Sequence, residues 1–126
     1  MIVMAPISIG ELVDKITILT IKKEKLKDED KLKNVDQELA QLTNILHALE
    51  LLDITELQHK LKMVNMELWH IEDFKRKCES EQKFDIAFIE SARQVYLKND
   101  IRARLKRDIN VRCGSTIVEE KSYANI

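Results

Sequence analysis

The sequence contains few residues that interrupt helices, with two glycines and one proline among its 126 residues. Aromatic residues make up only 5%, so aliphatic side chains must supply most of any core. Two cysteines leave room for at most one disulfide, and we expect two free thiols in a reducing cytoplasm. With Leu, Lys and Glu abundant and helix breakers scarce, the composition predicts long helices.

Charge is balanced, with 21 basic against 22 acidic residues and a formal net charge of -1. Such a chain lacks the basic excess typical of nucleic-acid binding. No apolar run approaches the roughly 20 residues that span a bilayer, and the first residues lack the basic and apolar regions of a signal peptide. We therefore expect a cytoplasmic protein that has no membrane contact.

The length suits a single helical domain over residues 1–126. Apolar residues spaced by three and four predict helices over about 9–26, 30–51, 55–79 and 85–113. An extended tail is expected from 114 to the end.

Polar residues mark the predicted helix ends. Ser8 and Glu11 have the spacing of a capping box, Asp85 can cap the fourth helix, and Gly114 can end it. The apolar phase shifts at Asn99-Asp100, both poor helix formers and good caps, which predicts a kink or a short break there.

Two segments also suit strands. Residues 15–21 are rich in Ile and Thr, although the preceding cap favours a helix. The patch 116–118 could pair with residues 2–4. We prefer an all-α fold.

The second and third predicted helices carry matching coiled-coil-like seams. The first seam consists of Leu32, Val35, Leu39, Leu42, Leu46 and Leu49, and the second of Leu57, Leu61, Val64, Leu68 and Ile71. Since a short connection joins the two helices, they should form a long antiparallel hairpin. The expected fold is a four-helix bundle-like domain built on this hairpin.

Four blocks of sequence resemble an uncharacterised family of small bacterial and phage-encoded helical proteins. They are Ile7–Leu19 (ISIGELVDKITIL), Leu68–Asp73 (LWHIED), Phe88–Ala103 and Gly114–Tyr123. The family has no established activity, so the resemblance implies domain limits and motif residues but no reaction. Related segments accompany glycosyltransferases and tetratricopeptide-repeat proteins of surface-polysaccharide pathways, and this implies a link to such machinery.

Polar residues of the fourth helix form the first candidate site. Arg93, Tyr96, Asn99, Arg102 and Lys106 lie on or beside one helical stripe. Guanidinium, ammonium, phenol and amide groups together can bind a phosphate or carboxylate. The alternative is a solvated face on which Asn99 caps a kink.

Acidic residues form the second candidate. Glu11 and Asp14 lie three residues apart on the first helix, Glu72 and Asp73 on the third, and Glu119 in the tail. Carboxylates from two helices can hold Mg²⁺. Glu11 alternatively serves as a cap residue and as the i, i+4 partner of Lys15.

The string Glu67-Leu68-Trp69-His70 resembles one ligand set of a di-iron bundle. Such a centre needs a second string of this kind, which the sequence lacks, so we interpret the match as coincidence.

The sequence favours a non-enzymatic interaction module, dimeric or bound to a protein partner, that needs no cofactor. The alternative is a small enzyme or binding protein for a phosphorylated or nucleotide-sugar ligand, with Mg²⁺ as its cofactor. Two arrangements of the charged residues in these blocks are open. They surround a pocket that binds a ligand, or they pair with one another as buried ion pairs.

Overall fold

The computed structural model describes residues 1–122, in which four helices and no strand are present. The helices are α1 (Ile9–Lys25), α2 (Glu29–Ala48), α3 (Thr55–Glu81) and α4 (Ile86–Cys113). The all-α prediction is confirmed, and the strand alternatives for residues 2–4, 15–21 and 116–118 are wrong. No described helix is long and apolar enough to cross a bilayer. Expectations for residues 123–126 lie outside the described residues.

The predicted caps are present at the start of α1 and at both ends of α4. The Ser8 hydroxyl accepts a hydrogen bond from the backbone N–H of Glu11 at 3.0 Å. The Asp85 carboxylate accepts from the first turn of α4, and Gly114 ends that helix with a φ of 65°. These local signals fixed the helix starts to within one residue, because a cap acts through groups two or three residues away.

Helix α1 is the central helix, since it packs on each of the other three. Leu12, Ile16 and Leu19 are buried on one of its sides, and Asp14 and Thr17 are buried on another. Buried apolar residues from α1 and α3 join Ile109 of α4 in one cluster, against which Leu46 of α2 packs. One apolar core therefore draws on all four helices.

The predicted hairpin between α2 and α3 does not form in the described chain. Helix α2 packs on α1, whereas α3 packs on α1 and α4. A seam with spacings of three and four indicates which face of a helix is buried, but it does not identify the partner. Because α1 is apolar on several sides, it takes the place between α2 and the α3–α4 pair.

Helix α4 is continuous from Ile86 to Cys113, so the predicted break at Asn99-Asp100 is absent. Asn99 accepts a hydrogen bond from Arg102 at 3.4 Å and does not cap a new helix. The apolar phase shifts there for another reason. The stripe that begins with Phe88 and Ala92 continues along the same helix face as polar residues, which meet polar residues of α1.

The α3–α4 hairpin extends beyond the other helices. At about 1.5 Å per residue, its 27- and 28-residue helices are roughly 40 Å long, whereas the 17-residue α1 is roughly 26 Å long. An edge-to-face contact between Phe84 and Phe88, with ring centroids 5.1 Å apart, lies at the turn. Near this turn the hairpin has only two helices, so its outer faces are exposed.

Candidate functional site

The start of α1 meets the end of α4 through backbone contacts. The N–H of Gly10 donates to the Asn110 side-chain oxygen at 2.6 Å, and the N–H of Ile9 donates to the Ser115 hydroxyl at 3.3 Å. Gly10 has no Cβ, and a Cβ there would collide with the carbonyl oxygen of Lys106. The glycine therefore permits the close approach that lets α4 satisfy the unpaired N–H groups of α1.

One turn further along α1, a buried polar group joins three helices. Asp14 is 0% exposed. Its carboxylate accepts from Arg102 Nε at 3.0 Å, from a terminal nitrogen of the same guanidinium, and from the Asn65 amide at 2.8 Å. Asn65 also donates to Thr17 at 2.9 Å. The hydrogen bond and charge of Asp14 raise the pKa of Arg102, although burial opposes this.

Lys106 lies one turn after Arg102 on α4 and links this helix to both α1 and the tail. Its side chain is only 10% exposed, and its Nζ lies 2.6 Å from a carboxylate oxygen of Glu11 and 2.6 Å from one of Glu119. Burial opposes the charged form of Lys106, but the two carboxylates outweigh it and raise the pKa. The hydrogen bond from Lys106 in turn lowers the pKa of Glu119. The tail is thus attached to α4 by a charge pair whose helical partner is largely buried.

Part of the predicted anion site and part of the predicted acidic cluster lie together in one place. Asn99, Arg102 and Lys106 of the proposed anion site lie together, and the carboxylates of Glu11, Asp14 and Glu119 lie among them. The charged blocks therefore pair with one another at this point. No buried side-chain nitrogen or oxygen in the described chain lacks a hydrogen-bond partner.

Two predicted members of the anion site lie elsewhere. Arg93 pairs with Glu90 at 2.9 Å in solvent, and Tyr96 is exposed on the same side of α4. Glu90, Arg93 and Tyr96 share a face in the first half of α4, away from Asn99, Arg102 and Lys106. The predicted polar stripe therefore divides into an exposed part and a buried part.

Glu72 and Asp73 line a separate groove of about 330 Å³ between α1, α3 and α4. The groove is lined in part by the apolar residues Ile18, Leu68 and Trp69. Arg102, which pairs with Asp14, also lines it. These two carboxylates therefore do not join Glu11 and Asp14.

Residues 1–122 contain no group of three His, Cys, Asp or Glu side chains that could hold a metal ion. Glu11, Asp14 and Glu119 each bind a cationic side chain instead. In the Glu67–His70 string, Glu67 pairs with Lys98 at 2.5 Å and His70 is exposed. The chemistry that this arrangement supports is charge pairing, with no described set of ligands for Mg²⁺.

Sequence reasoning missed Asn65, which is buried and bonds to Asp14 and Thr17 of α1. Asn110 follows the polar stripe of the fourth helix by its spacing, and it is buried where its side-chain oxygen accepts from the N–H of Gly10. The available signal was positional. Asn65 lies four residues after Leu61 and three before Leu68, and thus lies directly beside the apolar seam, next to Val64. A polar residue on the edge of a buried apolar face needs a hydrogen-bond partner there.

Comparison with known proteins gives a family but no activity. The sequence profile of the Family of unknown function (DUF6165) matches residues 3–126. The chain belongs to DUF6165. No curated protein and no solved structure matches it. The resemblance found in the sequence is thereby confirmed as membership of an uncharacterised family, and the function of this DUF6165 chain must be argued from its own geometry.

Proposed function

We propose that this protein is a non-enzymatic interaction module that self-associates through one face of α4. The supporting observation is an exposed stripe near the α3–α4 turn, made of Ile86, Ile89, Arg93 and Tyr96. These residues follow spacings of three, four and three, so they share one side of the helix. We call this set the α4 stripe.

The composition of the α4 stripe resembles the centre of a protein interface. Ile86 is 83% exposed and Ile89 is 56% exposed, which is unusual for large aliphatic residues placed together on one helix face. Tyr96 and Glu90 raise the pKa of Arg93, and the guanidinium lies 2.9 Å from the Glu90 carboxylate on this face. Tyrosine and arginine are the residues that most often dominate binding energy at interfaces.

A second copy of the chain is the partner that this surface fits best. In a two-fold dimer the same patch meets itself, so the patch must complement its own charges. Glu90 and Arg93 lie one turn apart and carry opposite charges. When two such helices pack antiparallel, each Glu90 can face the partner copy's arginine, and the four helices of the two hairpins complete a bundle.

The test is the mass of the protein in solution over a wide concentration range, measured by sedimentation equilibrium. The double variant Ile86→Glu/Ile89→Glu places two like charges at the centre of the stripe and should shift the protein from dimer to monomer. Val111→Glu is the matched control, because Val111 is an equally apolar, 74% exposed residue at the other end of α4. It should leave the dimer intact.

Unchanged mass in the double variant, or a monomeric wild type at all concentrations, would overturn self-association through the stripe. Circular dichroism must show that both variants remain helical. Capture of a different protein that depends on Ile86 and Ile89 would keep the interaction function but reassign the partner.

A second candidate function is binding of a phosphorylated or nucleotide-sugar ligand. The groove of about 330 Å³ favours it, because Trp69 provides a flat apolar wall, and Arg76 and Arg102 line the groove beside the carboxylates of Glu72 and Asp73. Thermal-shift measurements with sugar nucleotides, with and without Mg²⁺, together with Trp69 fluorescence, test this function. Stabilisation that is lost in Trp69→Leu would support it. The cytoplasmic location and the link to surface-polysaccharide machinery stay predictions.

A further inference from the structure

A nearly buried amide borders the groove between α1, α3 and α4. Asn65 lines this groove and is only 6% exposed. Its amide nitrogen donates to the carboxylate of Asp14 at 2.8 Å and to the hydroxyl of Thr17 at 2.9 Å. Because a carboxylate only accepts hydrogen bonds, the contact with Asp14 fixes which end of the amide is the nitrogen.

The amide oxygen of Asn65 accepts no hydrogen bond from any residue between 1 and 122. Every fully buried side-chain nitrogen or oxygen of this part of the chain has a partner, so the oxygen must reach accessible space. The groove is the accessible space that Asn65 lines. An acceptor that is held in place at the wall of a groove can bind a ligand that carries an N–H or O–H donor.

Trp69 supplies an aromatic surface next to this acceptor. It lies one turn after Asn65 on the same face of α3, and it also lines the groove. Since Cβ atoms four residues apart on a helix are about 5–6 Å from each other, a ring stacked on the indole can bring one edge to the amide oxygen. Ile18 and Leu68 add aliphatic walls. The arrangement fits a flat ring that has a hydrogen-bond donor on its edge.

The charges around the groove cancel. The guanidinium of Arg102 is already bound by Asp14, and the carboxylate of Glu72 lies 3.3 Å from Lys75. The groove therefore has no excess of positive charge for a phosphate, and the part of a ligand that it recognises is neutral. The charged residues that line the groove are two acids and two bases: Glu72, Asp73, Arg76 and Arg102.

We propose that the groove binds a nucleobase that carries an exocyclic amino group, with the ring stacked on Trp69 and the amine donating to the amide oxygen of Asn65. Adenine and cytosine carry such an amine, whereas uracil and thymine have a carbonyl oxygen where cytosine has its amine. That carbonyl would face another acceptor, and neither oxygen would receive a hydrogen bond. The ring N–H of uracil lies between two carbonyl oxygens, so it would bring them towards the same acceptor.

This inference rests on the second candidate function and deepens it, because it names the part of a nucleotide-sugar that the protein recognises. The size of the groove suits one ring system, since about 330 Å³ is at the lower end of the roughly 300–1,000 Å³ of small-molecule sites. The phosphates and the sugar of a larger ligand then lie outside, past the exposed side chains of Asp73 and Arg76.

The experiment is an NMR titration of the isotope-labelled full chain with adenosine and with purine riboside, which differ only in the amino group. Cytidine and the cytidine analogue that lacks the 4-amino group form a second pair. All four compounds are neutral, so the ionic strength stays constant. Saturable shifts are expected for the side-chain amide of Asn65 and for the methyl groups of Ile18 and Leu68.

Each amine-free analogue should bind about tenfold more weakly than its partner, because the Asn65 oxygen then loses its donor. The methyl groups of Leu26 and Val35 should not shift. These residues line a second groove that Trp69 also borders, so they report whether the ligand has bound on the other side of the indole.

Trp69→Leu should weaken adenosine binding about tenfold or more, since it removes the stacking surface. Phe74→Leu is the matched control, because Phe74 is a 39% exposed aromatic residue of the same helix that does not line the groove. It should change the dissociation constant less than about threefold. Circular dichroism must show that both variants remain helical. The comparison of ligand pairs uses the wild-type chain, so it decides the question even if Trp69→Leu does not fold.

Recognition of the base is overturned if neither adenosine nor cytidine saturates, if the amine-free analogues bind as tightly, or if Leu26 and Val35 shift in place of Ile18 and Leu68. Thermal shifts with ADP-glucose and UDP-glucose separate this failure from failure of the second candidate function. Equal stabilisation by both compounds would keep a nucleotide-sugar ligand and exclude selection of the base. No stabilisation by either, with adenosine still bound, would exclude the nucleotide-sugar and keep the base site.

Discussion

Asp14 and Arg102 lie 88 residues apart in the chain and form an ion pair in which the guanidinium contacts both carboxylate oxygens. The carboxylate is almost inaccessible to solvent, and Arg102 is partly exposed at the groove. This pair fixes the register of α1 against α4, because both oxygens of Asp14 are occupied by one planar group.

Removing one partner of this pair should be costly. In Asp14→Ala, the Arg102 charge and the Asn65 amide lose their acceptor, and we expect a loss of about 3–5 kcal/mol in the free energy of unfolding. Glu90→Ala breaks the exposed pair with Arg93 and should cost far less than Asp14→Ala, because solvent screens the exposed charges. Urea denaturation of the two variants measures the difference, and similar losses would contradict a structural role for the buried pair.

The helix crossing at Gly10 gives the second prediction. Alanine usually stabilises a helix relative to glycine by about 1 kcal/mol. At Gly10 the added Cβ meets the backbone of Lys106, so Gly10→Ala should instead destabilise the protein by about 1–3 kcal/mol. The measurement is the urea midpoint.

Gly114→Ala is the control for this prediction. Gly114 has a φ of 65° and open space around it, so alanine there meets only backbone strain of about 1–2 kcal/mol. Gly10→Ala should in addition change the NMR shifts of Lys106 and Asn110, whereas Gly114→Ala should not change that of Lys106. A Gly10→Ala protein as stable as wild type would exclude the close crossing.

Local features were predictable from the sequence, and the choice of neighbours was not. The caps at Ser8 and Asp85 are hydrogen bonds to backbone groups two or three residues away, so the local sequence is enough to predict them. The pairing of α2 with α1 depends on how three apolar faces share one core, and equal seams on α2 and α3 leave that choice open. Tertiary packing decided it.

The candidate site was predicted by residue type but not by arrangement. Arg102 and Glu119 were predicted as candidate site residues from the motifs that contain them. The predicted stripe on the fourth helix, however, runs from the exposed Arg93 to the buried Lys106. A spacing of three residues advances 300°, so repeated steps of three drift around the helix. Only the position of α1 shows where the buried part begins.

Tail attachment should depend on pH. The hydrogen bond from Lys106 lowers the pKa of Glu119 below its ordinary value of 4.5. For a carboxyl with a lowered folded-state pKa, the stabilisation is fully present above the unfolded value and is lost as pH falls through the folded value. The tail should thus remain attached at pH 5 and above and detach at a pH below 4.5.

Carboxyl-carbon NMR of Glu119, read alongside amide exchange in residues 116–121, checks this dependence. Glu120→Gln should keep the transition, because Glu120 binds the exposed Arg107, and Glu119→Gln should abolish it. Titration of Glu119 at or above 4.5 would show that Lys106 does not hold its carboxylate.

The two thiols should react slowly while the protein is folded. Burial raises the pKa of Cys113, with Arg112 opposing it weakly, so the thiolate fraction at pH 8 is below that of an ordinary thiol. Cys78 is buried in the α3–α4 hairpin, where reagents cannot reach it. With a chromogenic disulfide reagent, we expect both native thiols to react several-fold more slowly than the urea-unfolded chain. Cys113→Ser assigns the remaining phase to Cys78. A native thiol that reacts at the unfolded rate would show that its helix end opens readily.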